Sequence, residues 1–486
     1  MEKGEESKDE KPPENAVRNM LFDFASVTTA HGISRFVTSG PIYARISWFF
    51  IWLAVMIGFI YMIIQLVLLY TSRPVSTSIS ISFEESLTFP GVTICNLNVF
   101  PASSMKNVRV KFPNMTIINN MFKKQFASQS SLDVSDLEMD DVSSIQENTL
   151  TAINNLPIAD RLKNGQEFSS LITYCRWAGF VCNKGVFLRD YWHKTWNWKY
   201  GNCFTFNGKM KNINGSSIAP LESTSPGTSG GLTLNIDINR DEYLKGIAME
   251  TGVRVIIQDQ DVFAEPTEHG FSAASGYSVS VGLRKEMIKR EDVSGTGSCY
   301  DTSKANTKYF QQTCIAICKA GTQKRRCNCT SLQYRTYFGS KQCESLTESS
   351  CLLEVLSNFT NKIFDCSSRC PPSCSDIAFS KTIATSKLYP EGYLEIHKTK
   401  NLTADYVEKN IINLQIHYAD QTVTTISTGQ YYTFDNLVSD VGGQLGLWIG
   451  VSAVTCVEFF SLIWNLLLYC ICRKKEKRVQ DENAPC

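Results

Sequence analysis

Two long hydrophobic runs frame this chain and constrain most of what it can become. From Ile46 to Tyr70 no charged residue occurs, and Gln65 is the one strongly polar side chain. About 20 apolar residues suffice for a helix to cross the hydrocarbon core of a bilayer. The run is too long and starts too late for a secretory signal peptide, and no small-residue cleavage pattern follows it. The second run, from Leu445 to Cys472, carries a single charge, Glu458. Arg473, Lys474, Lys475, Lys477 and Arg478 follow it directly, and Arg35 and Arg45 precede the first. Positive flanks favour the cytoplasmic side, so both ends are expected there and residues 71–436 outside.

Cysteine placement agrees with that topology. Of 18 cysteines, all but Cys456, Cys470, Cys472 and Cys486 lie between Cys95 and Cys374. Such a cluster is of use where it can be oxidised into bridges. Zinc is the competing reading, but the C-x-C pair Cys327 and Cys329 has no histidine at ligand spacing. N-glycosylation sequons at Asn114, Asn214, Asn328, Asn358 and Asn401 all fall between the two runs. A net charge of +1 gives no reason to expect nucleic acid or a strongly acidic partner. The expected division is a cytoplasmic N-terminus over 1–45, a first membrane helix over 46–70 and an extracellular domain over 71–436. A second membrane segment follows over 437–472, then a basic tail over 473–486. The charged, proline-containing start of the chain is expected to be disordered.

Within 71–436, strand-like patterns run through Val75 to Asn96, Gly231 to Tyr243, Thr251 to Asp259 and Ile412 to Asp420. A more helical, acidic insertion includes Asp133 to Asp141, whose carboxylates most simply make a solvated surface. Between Cys299 and Cys374 apolar runs are short, so crosslinks are expected to supply stability. The fold class is therefore a membrane α+β protein with a large disulfide-rich extracellular domain.

The second run is not a plain anchor. It opens with SDVGGQLGLWIGVS, from Ser439 to Ser452, and Gly442, Gly446 and Gly450 recur every four residues, as on one helix face. Helix packing explains such a face without further function. Ser452 and Thr455, however, carry polarity into the run, and an ionisable residue at the depth of Glu458 is costly unless it faces water or a partner. Exposed backbone carbonyls can line a narrow ion passage. Two helices enclose no pore, so this reading requires an oligomer.

The residues quoted, together with His31-Gly32, FPGVTICN (Phe89 to Asn96), YGNCFTFN (Tyr200 to Asn207) and GLTLNI, resemble the degenerin, epithelial sodium channel and acid-sensing channel family in order and spacing. The resemblance spans nearly the whole chain. It implies a trimer, homomeric or heteromeric, whose subunits are built on a β-sheet palm. It also implies seven bridges: Cys95–Cys203, Cys175–Cys182, Cys299–Cys374, Cys314–Cys370, Cys318–Cys366, Cys327–Cys351 and Cys329–Cys343. The filter of the family corresponds to Gly450, Val451 and Ser452, and its gating-sensitive mouth to Ser439 beside Asp440, with Gly443 and Gly446 in the pore segment. His31 and Gly32 match an element that affects open probability. No cofactor is implied. The implied ion is sodium, and amiloride-type cations are implied as blockers.

Several positions depart from the family pattern. Val451 replaces a small filter residue, and Pro74 and Val75 stand where acid-sensing members carry histidines. Arg73 and Thr296 replace an aromatic pair. Only five histidines occur in the chain, and histidine is the side chain best suited to titrate near neutral pH. Within the family, an extracellular peptide or protons are the stimuli to consider, with constitutive leak third. Outside it, the alternative is a two-pass glycosylated cell-surface receptor without a pore, against which the pattern from Gly442 to Glu458 argues. A trimeric nucleotide-gated channel would lack these signatures. An ectoenzyme is not expected, since no phosphate loop, nucleophile elbow or metal-binding histidine pair occurs, and His193, His269, His397 and His417 are scattered.

Overall fold

The computed structural model describes residues 16–30, 33–38, 40–107, 146, 149–208, 218–244, 247–260, 262, 265–292, 299–301, 309–334, 341–343, 345–397 and 402–482. The chain forms two compact units, Thr77–Thr428 and the pair of segments Met1–Ser76 with Gly429–Cys486. The acidic run Asp133 to Asp141 lies outside the described residues, as do Asn114, Asn214, Asn401 and Thr296.

Strands of period two build the larger unit. They are β1 (Val75–Phe83), β2 (Leu87–Thr88), β3 (Gly91–Asn96), β4 (Ile172–Trp177), β5 (Phe180–Val181), β6 (Trp192–Asn197) and β7 (Gly201–Phe206). The second half adds β8 (Glu222–Ser223), β9 (Leu232–Asp237), β10 (Gly252–Gln258), β11 (Phe271–Ala274), β12 (Tyr277–Arg290), β13 (Ser375–Lys387) and β14 (Ile411–Gln430). One sheet runs β13-β12-β14-β9-β4-β5, with β1 on β14; a second runs β11-β10-β3-β7-β6. In the large sheet β12 pairs with β14 in parallel, with a bulge between Leu283 and Lys285, while β12–β13, β14–β9, β9–β4 and β4–β5 are antiparallel. Asp420 lies opposite this irregularity. It accepts from the Thr422 hydroxyl, from Thr422 N and from Arg284 Nε, the last at 3.0 Å, and these contacts hold its carboxyl below the usual range.

Both sheets close on one core. Leu232, Leu234 and Ile236 of β9 alternate with Thr233 and a buried Asn235, and Ile412, Leu414, Ile416 and Tyr418 of β14 alternate with half-buried residues. At the centre lies Phe89, fully buried, with ring centroids 4.4 Å from Trp177, 6.1 Å from Tyr418 and 6.5 Å from Phe206. Burying such a ring stabilises the fold by roughly 1.5–3 kcal/mol. The asparagines that end FPGVTICN and YGNCFTFN are buried clamps rather than surface residues. Asn207 Nδ2 donates to Phe89 O at 2.6 Å, and its Oδ1 accepts from Leu221 N. Asn96 donates to Ile238 O and accepts from the Tyr243 hydroxyl at 2.6 Å. Buried amides satisfied in this way fix loop positions, because losing one partner would leave a desolvated group unpaired.

Beyond β12 the chain projects as an arm of two helices, Gln311–Cys327 and Leu346–Thr360. The second starts on a reciprocal cap between Ser345 and Glu348. In the first helix only Ala320 and Gln323 are buried, too little apolar contact to hold the arm. Five nested disulfides do so instead: Cys299–Cys374, Cys314–Cys370, Cys318–Cys366, Cys327–Cys351 and Cys329–Cys343. Cys95–Cys203 joins β3 to β7, and Cys175–Cys182 ties β4 to the chain beyond β5. A single crosslink contributes about 2–4 kcal/mol, less when nested inside another.

In the smaller unit, α1 (Ala16–Val27) and α2 (Ile33–Thr38) lead to α3 (Ile42–Ser72). This helix of 31 residues is long and apolar enough to cross a membrane. At 1.5 Å per residue it spans about 46 Å, against a hydrocarbon core of about 30 Å. It ends where Arg73 adopts a left-handed conformation and donates to Tyr70 O. The helices Phe434–Ile449 and Val454–Tyr469 pass the same test only when taken together.

Candidate functional site: the interrupted second helix

The segment that carries SDVGGQLGLWIGVS starts as a helix at Phe434, where the Thr433 hydroxyl accepts from Asn436 N and Asp435 sits in the first turn. Asp440 accepts from the Tyr432 hydroxyl at 2.7 Å, pinning the turn before the helix to its second turn. Ser439, Asp440 and Gly443 are exposed within the single chain. From Leu445 to Ile449 the helix widens into a π-turn, and Trp448 bonds Gln444 while covering Gly58 of α3.

At Gly450 the helix stops. This glycine has φ +69°, which non-glycine residues adopt only at a cost, and its N–H bonds Gly446 O while Val451 N reaches Leu445 O. Ser452 then opens the next helix, Ala453–Glu482. Its Oγ accepts from Thr455 N at 3.3 Å, and Thr455 Oγ1 accepts from Ser452 N at 3.2 Å, a reciprocal cap. Gly450-Val451-Ser452 is thus a left-handed stop, a linker and a helix start in immediate succession. The helix face expected from Gly442, Gly446 and Gly450 is corrected accordingly: it ends at Gly446, because Gly450 lies off the helix.

Below the break the N-terminal segment closes on the second helix. Thr28 Oγ1 and Thr29 N each donate to Glu458 Oε2 at 3.0 Å, and Thr29 Oγ1 lies 2.7 Å from Thr455 Oγ1. Phe24 packs on Phe459 with centroids 4.9 Å apart. Glu458 is therefore paired with hydroxyl and amide donors rather than facing water alone. Thr28 and Thr29 were not singled out from sequence; the signal available was a polar Thr-Thr step between an apolar helix and His31. His31 and Gly32 lie outside the described residues. Of the sequons, Asn328 and Asn358 are described, Asn328 exposed and Asn358 half-buried.

Among the described residues no group of three His, Cys, Asp or Glu is disposed to hold a metal ion. Burial pushes the His193 pKa down, and its Nδ1 has no partner among the described residues. The unfolded chain therefore takes this proton first, near the ordinary value of about 6.5. We predict that folding stability falls as pH drops below that value, until folded His193 protonates too. The slope is up to about 1.4 kcal/mol per pH unit. Thermal melts across this range should be flatter for His193→Gln, and equal slopes would refute the assignment.

Comparison with known proteins gives the family. The family model for the amiloride-sensitive sodium channel matches residues 24–462, and the chain belongs to that family. It is 26% identical over 471 residues to the bile acid-sensitive ion channel of Mus musculus, covering 92% of this chain and 89% of the relative. It is 24% identical over 472 residues to acid-sensing ion channel 1A of Danio rerio, covering 94% and 90%. With the epithelial sodium channel subunit beta of Xenopus laevis it shares 23% over 589 residues, covering 98% and 89%. These relatives are ion channels and not enzymes, and the family is one of plasma-membrane sodium channels.

Proposed function

We propose that the chain is one subunit of a trimeric, amiloride-sensitive, sodium-selective channel of the plasma membrane, opened by an extracellular stimulus. The interruption at Gly450-Val451-Ser452 carries this reading. Non-helical backbone at membrane depth costs several kcal/mol per unpaired group unless it is buried in protein or lines a water-filled cavity, so a plain anchor would gain nothing from it. In this reading α3 and the interrupted helix are the two spans, both termini are cytoplasmic, and the seven-stranded sheet is the palm. Gly450, Val451 and Ser452 form the selectivity ring. Ser439 and Asp440 form the mouth, where amiloride-type cations block, and Gly443 and Gly446 line the passage between. Glu458 supplies negative charge below, positioned by Thr28 and Thr29, with His31 and Gly32 next in the chain. Asn114, Asn214, Asn328, Asn358 and Asn401 carry glycans on the extracellular side.

Connectivity supports the gating route. β1 begins just after α3 ends at Ser72, and β14 ends just before the helix at Phe434, so movement of these strands reaches both spans along the chain. A peptide or protons are the stimuli proposed first; the name of the mouse relative adds bile acids to the ligands to try. The test is whole-cell current from cells expressing this chain alone, stepped in pH, then given peptides and bile acids, with amiloride last. An amiloride-sensitive inward sodium current is expected. Silence from surface-expressed protein, with Ser439→Trp also silent, would overturn the homomeric channel reading.

The filter assignment has its own test. Ser452→Ala removes the oxygen that caps Thr455 N–H, at a cost of about 1 kcal/mol. The reversal potential should then move toward that of potassium, and an unchanged value would exclude Ser452 from the filter.

A further inference from the structure

In the disulfide-bonded arm, a cavity of about 510 Å³ opens between the Gln311–Cys327 helix and the turn that follows Thr360. The local sequence builds it. After the Leu346–Thr360 helix, Lys362 takes a left-handed conformation (φ +57°), and the N–H groups of Ile363 and Phe364 both return to Asn358 O. That reversal sets Phe364 edge-on against Phe359, with centroids 5.5 Å apart, while Ile363 stays 66% exposed. These three side chains make an apolar floor, with Ile363 exposed and Phe359 and Phe364 half-buried. The Cys318–Cys366 disulfide fixes the spacing of the two walls.

The rim carries three guanidinium groups, Arg325, Arg326 and Arg369. None has a carboxylate within ion-pair distance among the described residues. Arg325 Nε bonds Gly321 O at 3.2 Å, and Arg326 sits 5.5 Å over the Phe364 ring. Asp365 is the one acid on the rim, and its Oδ1 is occupied by the N–H groups of Ser367 and Ser368, at 2.8 and 3.4 Å. The site thus offers three planar cations against one carboxylate, above an apolar, aromatic surface. Guanidinium groups favour bidentate recognition of carboxylates and similar anions, and cavities of roughly 300–1,000 Å³ suit small organic ligands.

We infer that this cavity binds an amphipathic organic anion, a carboxylate or sulfonate on a compact hydrophobic body, with the anion on Arg326 and Arg369 and the body on Phe359, Ile363 and Phe364. The inference rests on the arm alone and holds whether or not the chain conducts by itself. Its occupant bridges the two walls of the arm and so adds to what the disulfide does.

The test uses the full chain in lipid nanodiscs, with N-glycans trimmed because Asn358 neighbours Phe359. Binding of biphenyl-4-carboxylate is read by saturation-transfer NMR against empty nanodiscs. Biphenyl-4-carboxamide, similar in shape but neutral, is the comparator. The carboxylate should bind saturably, and the carboxamide should bind about tenfold more weakly or worse, the loss of a charge-assisted pair. The double variant R326Q/R369Q should weaken the carboxylate by a similar factor and leave the carboxamide unchanged. No saturable signal above empty nanodiscs, equal affinity for the two probes, or an unchanged affinity in the double variant would each overturn the proposal. The probe comparison on the unmodified chain keeps the test decisive even if the variant fails to fold.

Discussion

Ser439→Trp is predicted to hold the channel open without stimulus. Ser439 lies in the Phe434–Gln444 helix and is exposed within the single chain, so a larger side chain there disturbs little of the subunit's own packing. Its effect must fall on whatever Ser439 meets in the assembled pore. If symmetry-related helices converge there when closed, an indole on each adds volume that only the open arrangement accommodates. Shifting a closed–open equilibrium by tenfold takes about 1.4 kcal/mol, and a steric clash repeated around a ring readily exceeds that. Unstimulated, amiloride-sensitive current should therefore rise on the order of tenfold or more over the unmodified chain, measured at matched surface expression. Unaltered current would place the gate elsewhere.

Gly201→Ala should abolish folding. Gly201 begins β7 with φ +69°, and a Cβ there would overlap the Val99 carbonyl oxygen. The clash is with Val99 backbone, not with the end of a flexible side chain. The strand it opens holds Cys203 and Phe206, so movement at Gly201 would disturb the Cys95 disulfide and the ring cluster around Phe89. We predict a loss above about 4 kcal/mol, in the range reserved for backbone and core failures, seen as absence of the protein from surface biotinylation. Gly179→Ala is the contrasting case. It has φ +89° but open space around it, so only the conformational cost of about 1–2 kcal/mol applies. Normal surface delivery of Gly201→Ala would refute this account.

Residues with local periodicity gave themselves away from sequence, while residues whose role depends on distant partners did not. The alternation in GLTLNID and INLQIHY reads directly as β9 and β14. The same alternation in Val279, Val281 and Leu283 is harder to see, and with it the long β12–β13 ladder, because charged residues from Arg284 to Arg290 mask its second half. The break at Gly450 was also legible in principle: a glycine that can stop a helix stands two residues before a serine that can start one. The spacing of four nonetheless suggests a continuous glycine face, because it looks the same whether or not the last glycine is helical. The contacts of Glu458 were out of reach, since Thr28 and Thr29 lie more than 400 positions away and carry no pattern of their own. The partners of the nested cysteines came from the resemblance, because spacing alone admits many pairings.

The arm has a mechanical consequence. It is braced along its length by nested disulfides and rooted where Tyr300 pairs with Ser373, beside the Cys299–Cys374 link. Arg290, the last residue of β12, bonds Ser373 O at 2.8 Å at that root, and β13 begins two residues later at Ser375. A stiff rod clamped at one end transmits a push at its tip as torque at its base. Here the base is the β12–β13 ribbon, thirteen register pairs long, with β14 hydrogen-bonded along its other edge. A small load near the Cys329–Cys343 rung would therefore reach the sheet as a twist rather than dissipate in the arm, so the arm acts as a crank.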